Sequence, residues 1–233
     1  MLPKIKLEHT WVGTNRYYVC PDGTAKPGVT TVLGATDSDA FIFKRWRAKV
    51  GEEEARRITQ EAIARGAKLH AEIESYLMQQ EIYRRSPILQ GERFVILPKK
   101  PDDLDSCWGK SIQPVLETID QVLLLEGSIF YHGYAGTIDC IAIVEGKTTI
   151  LDWKTARKRK SPSQVKKHLD QIAAYAKAAN VLYGESHGLK ITHGIVAVAL
   201  ADRPAQVFKI NTPELDKHWG NFEQRLIQFA TAS

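Results

Sequence analysis

Three side chains in two neighbouring β-rich segments could together hydrolyse a phosphate ester. Asp139 closes the segment Gly136-Thr137-Ile138-Asp139, and Asp152 and Lys154 follow the apolar run Thr149-Ile150-Leu151. Because side chains alternate between the faces of a strand, Asp152 and Lys154 point the same way, and a neighbouring strand can bring Asp139 alongside. Two converging carboxylates repel each other unless a hard cation such as Mg²⁺, which takes oxygen ligands, neutralises them. The spacing therefore indicates a Mg²⁺ site that polarises a phosphate and activates water, with Lys154 placed to position or deprotonate that water or to stabilise charge on phosphorus.

A second pair of polar side chains follows on the next predicted helix. Gln171 and Tyr175 are four residues apart and share a helix face, from which both could reach a phosphate or a base. An Asp-x-Lys sequence alone occurs by chance on many surface strands. The Gly-x-x-Asp segment before it and the Gln and Tyr after it favour a site that hydrolyses phosphate esters over an ordinary pair of surface residues on a strand.

His70 and Glu126 are weaker candidates for the same site. His70 lies four residues before Glu74 on a predicted helix, and such a histidine in isolation is more often solvated or capping than a metal ligand. Glu126 stands where a predicted helix meets a strand, so a solvated helix end explains it at least as well as an additional acidic site residue. Glu74 is better explained as a supporting residue or a surface charge.

Two basic clusters could bind nucleic acid. The first follows Lys154 directly and precedes the Gln171 helix, so a phosphate-tracking role at the rim of the site is slightly favoured over a solvated loop. It consists of Arg157, Lys158, Arg159 and Lys160. The second interleaves aromatic and basic residues, namely Phe41, Phe43, Lys44, Arg45, Trp46 and Arg47. Either a buried helix face with snorkelling bases or a wall that stacks unpaired bases would produce this second pattern, and the sequence does not decide between them.

The elements that must position these residues are predicted from periodicity and turn signals. Residues 4–20 form a hairpin around Gly13-Thr14-Asn15, residues 38–77 two or three helices punctuated by Gly51 and Gly66, and residues 106–125 another helix with Pro114 as a kink or late start. Residues 128–153 form a three-stranded antiparallel meander, and 161–183 a helix that begins at Ser161-Pro162 and ends at Gly184. Strands follow at 191–200 and 206–210, with a closing helix at 213–230. We therefore expect a single α/β domain over residues 1–233, with a mainly helical elaboration and an N-terminal hairpin in 1–125 and a catalytic α/β core in 126–233.

Composition excludes several classes of protein. With 233 residues, 43% hydrophobic and 25% charged, the chain can bury a sizeable core and is not mostly disordered. A formal charge of +5 suits a polyanionic partner without requiring one. The three cysteines, Cys20, Cys107 and Cys140, suit neither a disulfide framework nor a CxxC motif, and the N-terminus lacks a secretion signal, so a cytoplasmic location without membrane association is expected.

The succession of Gly-x-x-Asp, Asp-x-Lys and Gln-x-x-x-Tyr resembles the PD-(D/E)XK nuclease superfamily, and within it the RecB-like branch. Upstream, residues 27–33 and the segment Arg65-Gly66-Ala67-Lys68-Leu69-His70 with Glu74 are similar to the P-S-V-T-x-V-L and G-x-x-x-H-x-x-x-E features of mitochondrial genome maintenance exonucleases and their phage and bacterial relatives. The resemblance covers about residues 27–176. Gly28 departs from it, because the family usually has serine at this position.

The resemblance implies a mixed central sheet flanked by helices and assigns roles to the candidate residues. Asp139 and Asp152 would be metal ligands, His70 a supporting ligand and Lys154 the catalytic lysine, with Gln171 and Tyr175 positioning the substrate. The cofactor would be Mg²⁺, with Mn²⁺ able to substitute, and no iron–sulfur cluster is expected because the cysteines that hold one in some relatives are absent.

The expected activity is a monomeric DNA exonuclease that degrades single strands from free ends, of phage or bacterial origin. Two alternatives stay open: a structure- or site-specific endonuclease of the same superfamily, and a catalytically idle nucleic-acid-binding subunit. Retention of both aspartates and Lys154 argues against the idle subunit.

Overall fold

A computed structural model describes residues 1–37, 40–85 and 100–232. In chain order its elements are β1 (His9–Val12), β2 (Asn15–Val19), β3 (Ala25–Pro27), α1 (Val29–Ala35), α2 (Ala40–Val50), α3 (Glu52–Arg85), α4 (Cys107–Leu116), β4 (Ile119–Tyr131), β5 (Tyr134–Val144), β6 (Lys147–Ala156), α5 (Pro162–His187), β7 (His193–Leu200), β8 (Arg203–Asn211) and α6 (Thr212–Ala232). None of the described helices combines the length and apolar character that a membrane crossing requires.

The central sheet is mixed and has the order β4-β5-β6-β7-β8. The predicted meander is confirmed, since β4, β5 and β6 pair antiparallel through short turns, one of which places Glu145 and Gly146 at φ 50° and 72°. Positive φ at both central turn residues is what a tight hairpin between twisted strands requires. β6 and β7 pair parallel, and the helix α5 makes the crossover between them. The result is a sheet flanked by helices, as the resemblance implied.

Helices cover both faces of this sheet and create two hydrophobic cores. On one face, α1, α5 and α6 pack over alternate residues such as Ile150, Val196 and Val198. On the other, α3 and α4 pack over Leu151, Trp153 and their neighbours. Since Asp152 and Lys154 are in phase with Ile150, they lie on the α5 side. The two faces therefore bring different helices to the same end of β6.

A separate three-stranded sheet, β1-β2-β3, confirms the N-terminal hairpin with its turn at Gly13-Thr14. It joins the main sheet through a bridge between Gly28 and Ala135 and through a contact of 3.4 Å between the Tyr18 hydroxyl and Thr137 Oγ1. The prediction of helices over residues 38–77 is confirmed from residue 40 as α2 and α3, which Gly51 separates at φ 87°. Residues 38 and 39, with which that prediction begins, lie outside the described residues.

The prediction of one helix over residues 106–125 is wrong. α4 ends at Leu116, and from Ile119 the chain is strand β4, paired with β5. Irregularities in this ladder, between Ile119 and Gln121 and between Val122 and Leu124, interrupt the two-residue alternation. They leave buried residues three apart, at Ile119 and Val122, which imitates helical spacing. The boundary drawn between residues 125 and 126 falls inside β4.

Two glycines do not end helices as the sequence indicated. Gly66 lies within the 34-residue helix α3. Gly184 lies within α5, which ends at His187 with Gly188 in the left-handed conformation (φ 66°) that suits a helix C-cap. The predicted start of α5 is confirmed, because the Ser161 hydroxyl accepts from Gln164 N–H and Pro162 occupies the first turn.

A buried carboxylate fastens α5 to α6. Asp170 is 2% exposed, and its Oδ1 lies 2.6 Å from His218 Nδ1 and 3.3 Å from Asn221 Nδ2. Its Oδ2 lies 3.9 Å from Arg225 NH1, while Arg225 also donates to Leu33 O of α1. The three helices on this face of the sheet therefore share one polar cluster.

Replacement of Asp170 by alanine should lower the free energy of unfolding by about 3 kcal/mol, because it leaves buried donors without an acceptor. Urea denaturation followed by circular dichroism measures the change. Asp202→Ala is the matched control, since Asp202 pairs with Arg203 on an exposed turn and its loss should change little. Equal effects of the two substitutions would contradict this account of the helix packing.

Candidate active site

Three carboxylates lie in a row across β4, β5 and β6. In the β4–β5 ladder the pairs Leu125–Cys140 and Gly127–Ile138 place Glu126 opposite Asp139. The β5–β6 ladder ends at the pair Cys140–Leu151, and the same register places Asp139 opposite Asp152. The strand phase inferred from the sequence therefore brings both aspartates together and adds Glu126.

Asp139 occupies the centre of this row and is almost fully buried. Its Oδ2 accepts from Trp153 N–H at 2.9 Å, and its Oδ1 lies 3.7 Å from His70 Nδ1. Burial and the neighbouring Asp152 carboxylate raise the pKa of Asp139 to about 7. Near neutral pH this position therefore favours a bound cation or a proton.

Asp152 and Lys154 form a close pair on β6. Lys154 Nζ donates to Asp152 Oδ1 at 2.6 Å, whereas the buried Asp152 Oδ2 has no hydrogen-bond partner among the described residues. Burial alone would lower the pKa of Lys154, but the carboxylates of Asp152 and Asp139 outweigh it and raise the pKa. Lys154 therefore carries a proton, and this geometry favours charge stabilisation over deprotonation of water.

His70 reaches the row of carboxylates from α3. Its Nε2 lies 3.0 Å from the carbonyl of Trp153, and its Nδ1 lies 3.5 Å from Glu126 Oε1. Burial opposes the charged form of His70, but Glu126 and Asp139 outweigh it and raise the pKa to about 9. Near neutral pH the ring is therefore protonated, with Nδ1–H directed toward the carboxylates. Since a carbonyl accepts only from an N–H, Nε2 keeps its proton, and loss of the other proton leaves the lone pair of Nδ1 directed toward the carboxylates.

The donor set fits a hard divalent cation. Ligand atoms of His70, Glu126 and Asp139 lie within 4.8 Å of one another. The row continues to Asp152, whose Oδ2 has no partner in the described part of the chain. Carboxylate oxygens suit Mg²⁺ and Mn²⁺, and like charges buried together need a counter-charge. Within the described residues, His70, Glu126, Asp139 and Asp152 are thus the groups that could hold such an ion.

The backbone at Glu126 is unusual for a residue inside a strand. Its φ is 46°, in the left-handed region that non-glycine residues rarely adopt, at a cost of about 1–3 kcal/mol. This conformation interrupts β4 directly opposite Asp139. The strain coincides with the position at which the Glu126 carboxylate meets His70.

Gln171 and Tyr175 lie over the same sheet face but are buried. Gln171 Nε2 donates to the Tyr175 hydroxyl at 3.3 Å. A Cβ at Gly136 would lie 2.6 Å from Tyr175 Cε1, so only glycine fits beneath this ring. Burial raises the pKa of Tyr175 above its usual range. The first residue of the Gly-x-x-Asp segment therefore makes room for Tyr175, and burial favours a role for this tyrosine in shaping the site.

A cavity of about 780 Å³ opens beside Lys154, between α2 and α3 on one side and β6 and α5 on the other. Of the predicted DNA-binding residues, Trp46, Arg157 and Lys160 line it. The others lie exposed outside the lining: Lys44, Arg45, Arg47, Lys158 and Arg159. Two of the predicted cations also have acidic neighbours, since Arg157 pairs with Glu61 at 2.9 Å and Arg47 lies 3.7 Å from Glu52.

Two further residues line the cavity but were not predicted from the sequence as site residues. Arg65 lies within the quoted Arg-Gly-x-x-x-His segment but received no role there. His168, three residues before Gln171 on α5, could have been recognised from helical spacing. Burial and the nearby Lys154 lower the pKa of His168 to about 4, so this imidazole is neutral near neutral pH.

A model of the PD-(D/E)XK nuclease superfamily matches residues 112–232, just over half of the chain. The chain belongs to this superfamily. The matched part of the chain contains the row of carboxylates, Lys154, Gln171 and Tyr175. It begins within α4, so His70 and the rest of α3 lie outside it.

The chain is also similar to curated proteins. It is 26% identical over 215 residues to human mitochondrial genome maintenance exonuclease 1, covering 87% of this chain and 58% of that protein. Identity to the mouse protein of the same name is 27% over 216 residues, with the same coverage. The chain therefore spans less than two thirds of the length of these relatives. A solved structure from Eubacterium rectale matches with a TM-score of 0.42 and 12% identity, covering 72% of this chain and 66% of that one, which is too weak to support an inference.

Binding of Mn²⁺ or Mg²⁺ to this protein should strengthen as pH rises from 6 to 8 and should release protons. The raised pKa values of Asp139 and His70 mean that a cation must displace protons from both, so falling pH weakens binding. Calorimetric titration in two buffers of different ionisation enthalpy measures the protons released. Glu74→Gln, on the same helix as His70, should leave the titration unchanged, whereas Asp139→Asn should weaken binding. A titration without proton release would contradict these protonation states.

Proposed function

We propose that this protein is a divalent-metal-dependent DNA exonuclease that acts on single strands from free ends, with Mg²⁺ as cofactor and Mn²⁺ able to replace it. The observation that carries the proposal is the row of Glu126, Asp139 and Asp152, flanked by His70 and Lys154 at the mouth of the cavity. This arrangement suits hydrolysis of a phosphodiester. The exonuclease names of the curated relatives support the same conclusion.

In this proposal one group of side chains binds the metal ion and Lys154 stabilises charge on the phosphate. A bound cation supplies Lewis-acid polarisation of the phosphate and a more acidic water. Four side chains would hold it: Asp139, Asp152, Glu126 and His70. The bond from His70 Nε2 to the Trp153 carbonyl fixes the orientation of the ring. Lys154, held by Asp152, presents an ammonium group that stabilises negative charge as it develops on the phosphate oxygens.

The proposed preference for single strands rests on the aromatic and apolar side chains of α2 and α3 that line the cavity, here called the wall. Phe43 and Trp46 lie 5.3 Å apart between ring centroids, and Phe43, Ile42 and Ile63 are exposed. Unpaired bases stack on such rings with about 1–3 kcal/mol per base. Duplex bases are paired and stacked inside the helix and are not available to this wall. Of the two explanations for the cluster at residues 41–47, we therefore favour base stacking over a buried helix face.

The proposed requirement for a free end rests on the elements that flank the site on two sides. α2 and α3 lie on one side of the cavity and β6 with α5 on the other. A DNA strand that reaches Lys154 along this route passes between these two sides of the cavity. In this proposal the free end of the strand enters first and is threaded through. Covalently closed DNA has no terminus to thread.

Replacement of Lys154 by alanine or of Asp152 by asparagine should lower kcat at least 100-fold while DNA affinity changes little, because the loss falls on stabilisation of the transition state. Release of nucleotides from a labelled oligonucleotide in Mg²⁺ gives kcat, and fluorescence anisotropy gives affinity. Lys217→Ala, an exposed lysine of α6, is the control and should retain wild-type rates. Full activity of either site variant would reject the assignment.

A linear single-stranded oligonucleotide should be degraded at least 100-fold faster than its ligated circle under the same conditions, with a blunt duplex of the same sequence also cut slowly. Gel electrophoresis of time points separates the products. Rapid cutting of the circle would identify an endonuclease instead, and binding without cleavage of any substrate would identify an idle binding subunit. Preference for the duplex would remove the argument from base stacking.

A further inference from the structure

The cations that line the cavity differ in what already binds them. Lys154 is paired with Asp152, and Arg157 is paired with Glu61. Lys160 and Arg65, by contrast, form no ion pair within the part of the chain that the structure describes, and of these two cations Arg65 carries the guanidinium. Of the two arginines that line the cavity, Arg65 is therefore the one whose guanidinium is not neutralised by a carboxylate among the described residues.

Arg65 is nevertheless held in place on two sides. Its Nε–H donates to Thr155 Oγ1 at 3.2 Å, and its Cζ lies 5.0 Å from the centroid of the Trp108 ring. A planar guanidinium that is stacked on one face and bonded along one edge keeps its two terminal amino groups free in a fixed orientation. Such a fork matches two oxygens of a phosphate.

The position of Arg65 separates it from the atoms that would be cut. Thr155, its anchor, follows Lys154 on β6, and successive strand residues point to opposite faces, so Arg65 approaches the cavity from the α3 side and Lys154 from the α5 side. Along α3, Arg65 precedes His70 by five residues, or about 7.5 Å of helix axis. A nucleotide in a stacked strand advances about 3.4 Å. The guanidinium therefore lies one or more nucleotide steps from the metal-ligating residues.

We propose that Arg65 binds a phosphate of the DNA strand that neighbours the cut phosphodiester, and so fixes which linkage lies beside Lys154. This inference rests on the proposed function and adds a second contact for the substrate. Trp108 and Thr155 act as positioning residues, because they hold the guanidinium and leave its terminal nitrogens to the phosphate.

The test removes the charge of a single phosphate, the Arg65 side chain, or both, and measures the loss of DNA affinity each time. The two losses overlap if the loss caused by one change is smaller once the other change has been made. Oligonucleotides that each carry a single neutral methylphosphonate, at successive linkages, are bound to the Lys154→Ala protein and to the Lys154→Ala/Arg65→Ala protein without divalent metal, and affinity is measured by anisotropy. At one linkage the methylphosphonate should weaken binding about tenfold with Arg65 present and less than twofold with alanine there. At all other linkages the effect of the methylphosphonate should be the same for both proteins.

Losses that multiply at every linkage would overturn the proposal, since Arg65 would then contact no single phosphate. Arg56→Ala is the matched control, because it removes an exposed arginine from the same helix outside the cavity, and its cycle should show no overlap at any linkage. Arg65→Lys, which keeps the charge without the fork, should retain part of the overlap and replaces the alanine variant if thermal denaturation shows that variant to be unfolded.

The same measurements distinguish failure of this inference from failure of the proposed function. Overlap at one linkage in a protein whose wild type cuts no DNA would preserve Arg65 as a phosphate contact and reject the exonuclease. Cleavage by the wild type without overlap would preserve the exonuclease and reject Arg65. Absence of any affinity for single-stranded DNA would reject both.

Discussion

The structure of this site follows from one electrostatic constraint, which is that Asp139 and Asp152 are buried opposite each other on adjacent strands. Burial and repulsion from the neighbouring carboxylate act in the same direction on Asp139 and raise its pKa. The chain supplies compensating groups from three directions: the Trp153 N–H on Asp139, the ammonium of Lys154 on Asp152, and the protonated imidazole of His70 from α3. Among the described residues, Asp152 Oδ2 is left without a hydrogen-bond partner, and a divalent cation bound there would supply the missing interaction.

The helix on the opposite side of the sheet has a different task. To the site, α5 contributes the buried Gln171 and Tyr175, and the contact of Tyr175 with Gly136 fixes how closely the helix approaches β5. Asp170, on the same helix, anchors α6 and, through Arg225, α1. One helix thus sets the spacing of the sheet face that carries Asp152 and also holds the outer layer, so packing and site geometry are not independent here.

Much of the fold and of the site could be predicted from the sequence, for local reasons. Strand alternation placed Asp152 and Lys154 on one face, and the Ser161-Pro162 pair marked the start of α5. The bulges of β4 defeated the same kind of reasoning, because they gave Ile119 and Val122 a helical spacing. The position of His70 beside Glu126 depends on α3 packing against the sheet, which no local pattern encodes, and only family resemblance pointed to it. The role of Arg65 depends on Thr155, 90 residues away, and on the ring of Trp108.

The bond between His70 and the carbonyl of Trp153 joins residues 83 positions apart and ties α3 to the sheet. A cation held by His70 together with the carboxylates of β4 and β5 would exist only in molecules in which α3 is docked. By mass action, such an ion stabilises the docked state over any in which the helix has detached. Availability of metal would then govern the persistence of the folded molecule as well as its chemistry, so that a chain deprived of its ion is more exposed to proteolysis along α3.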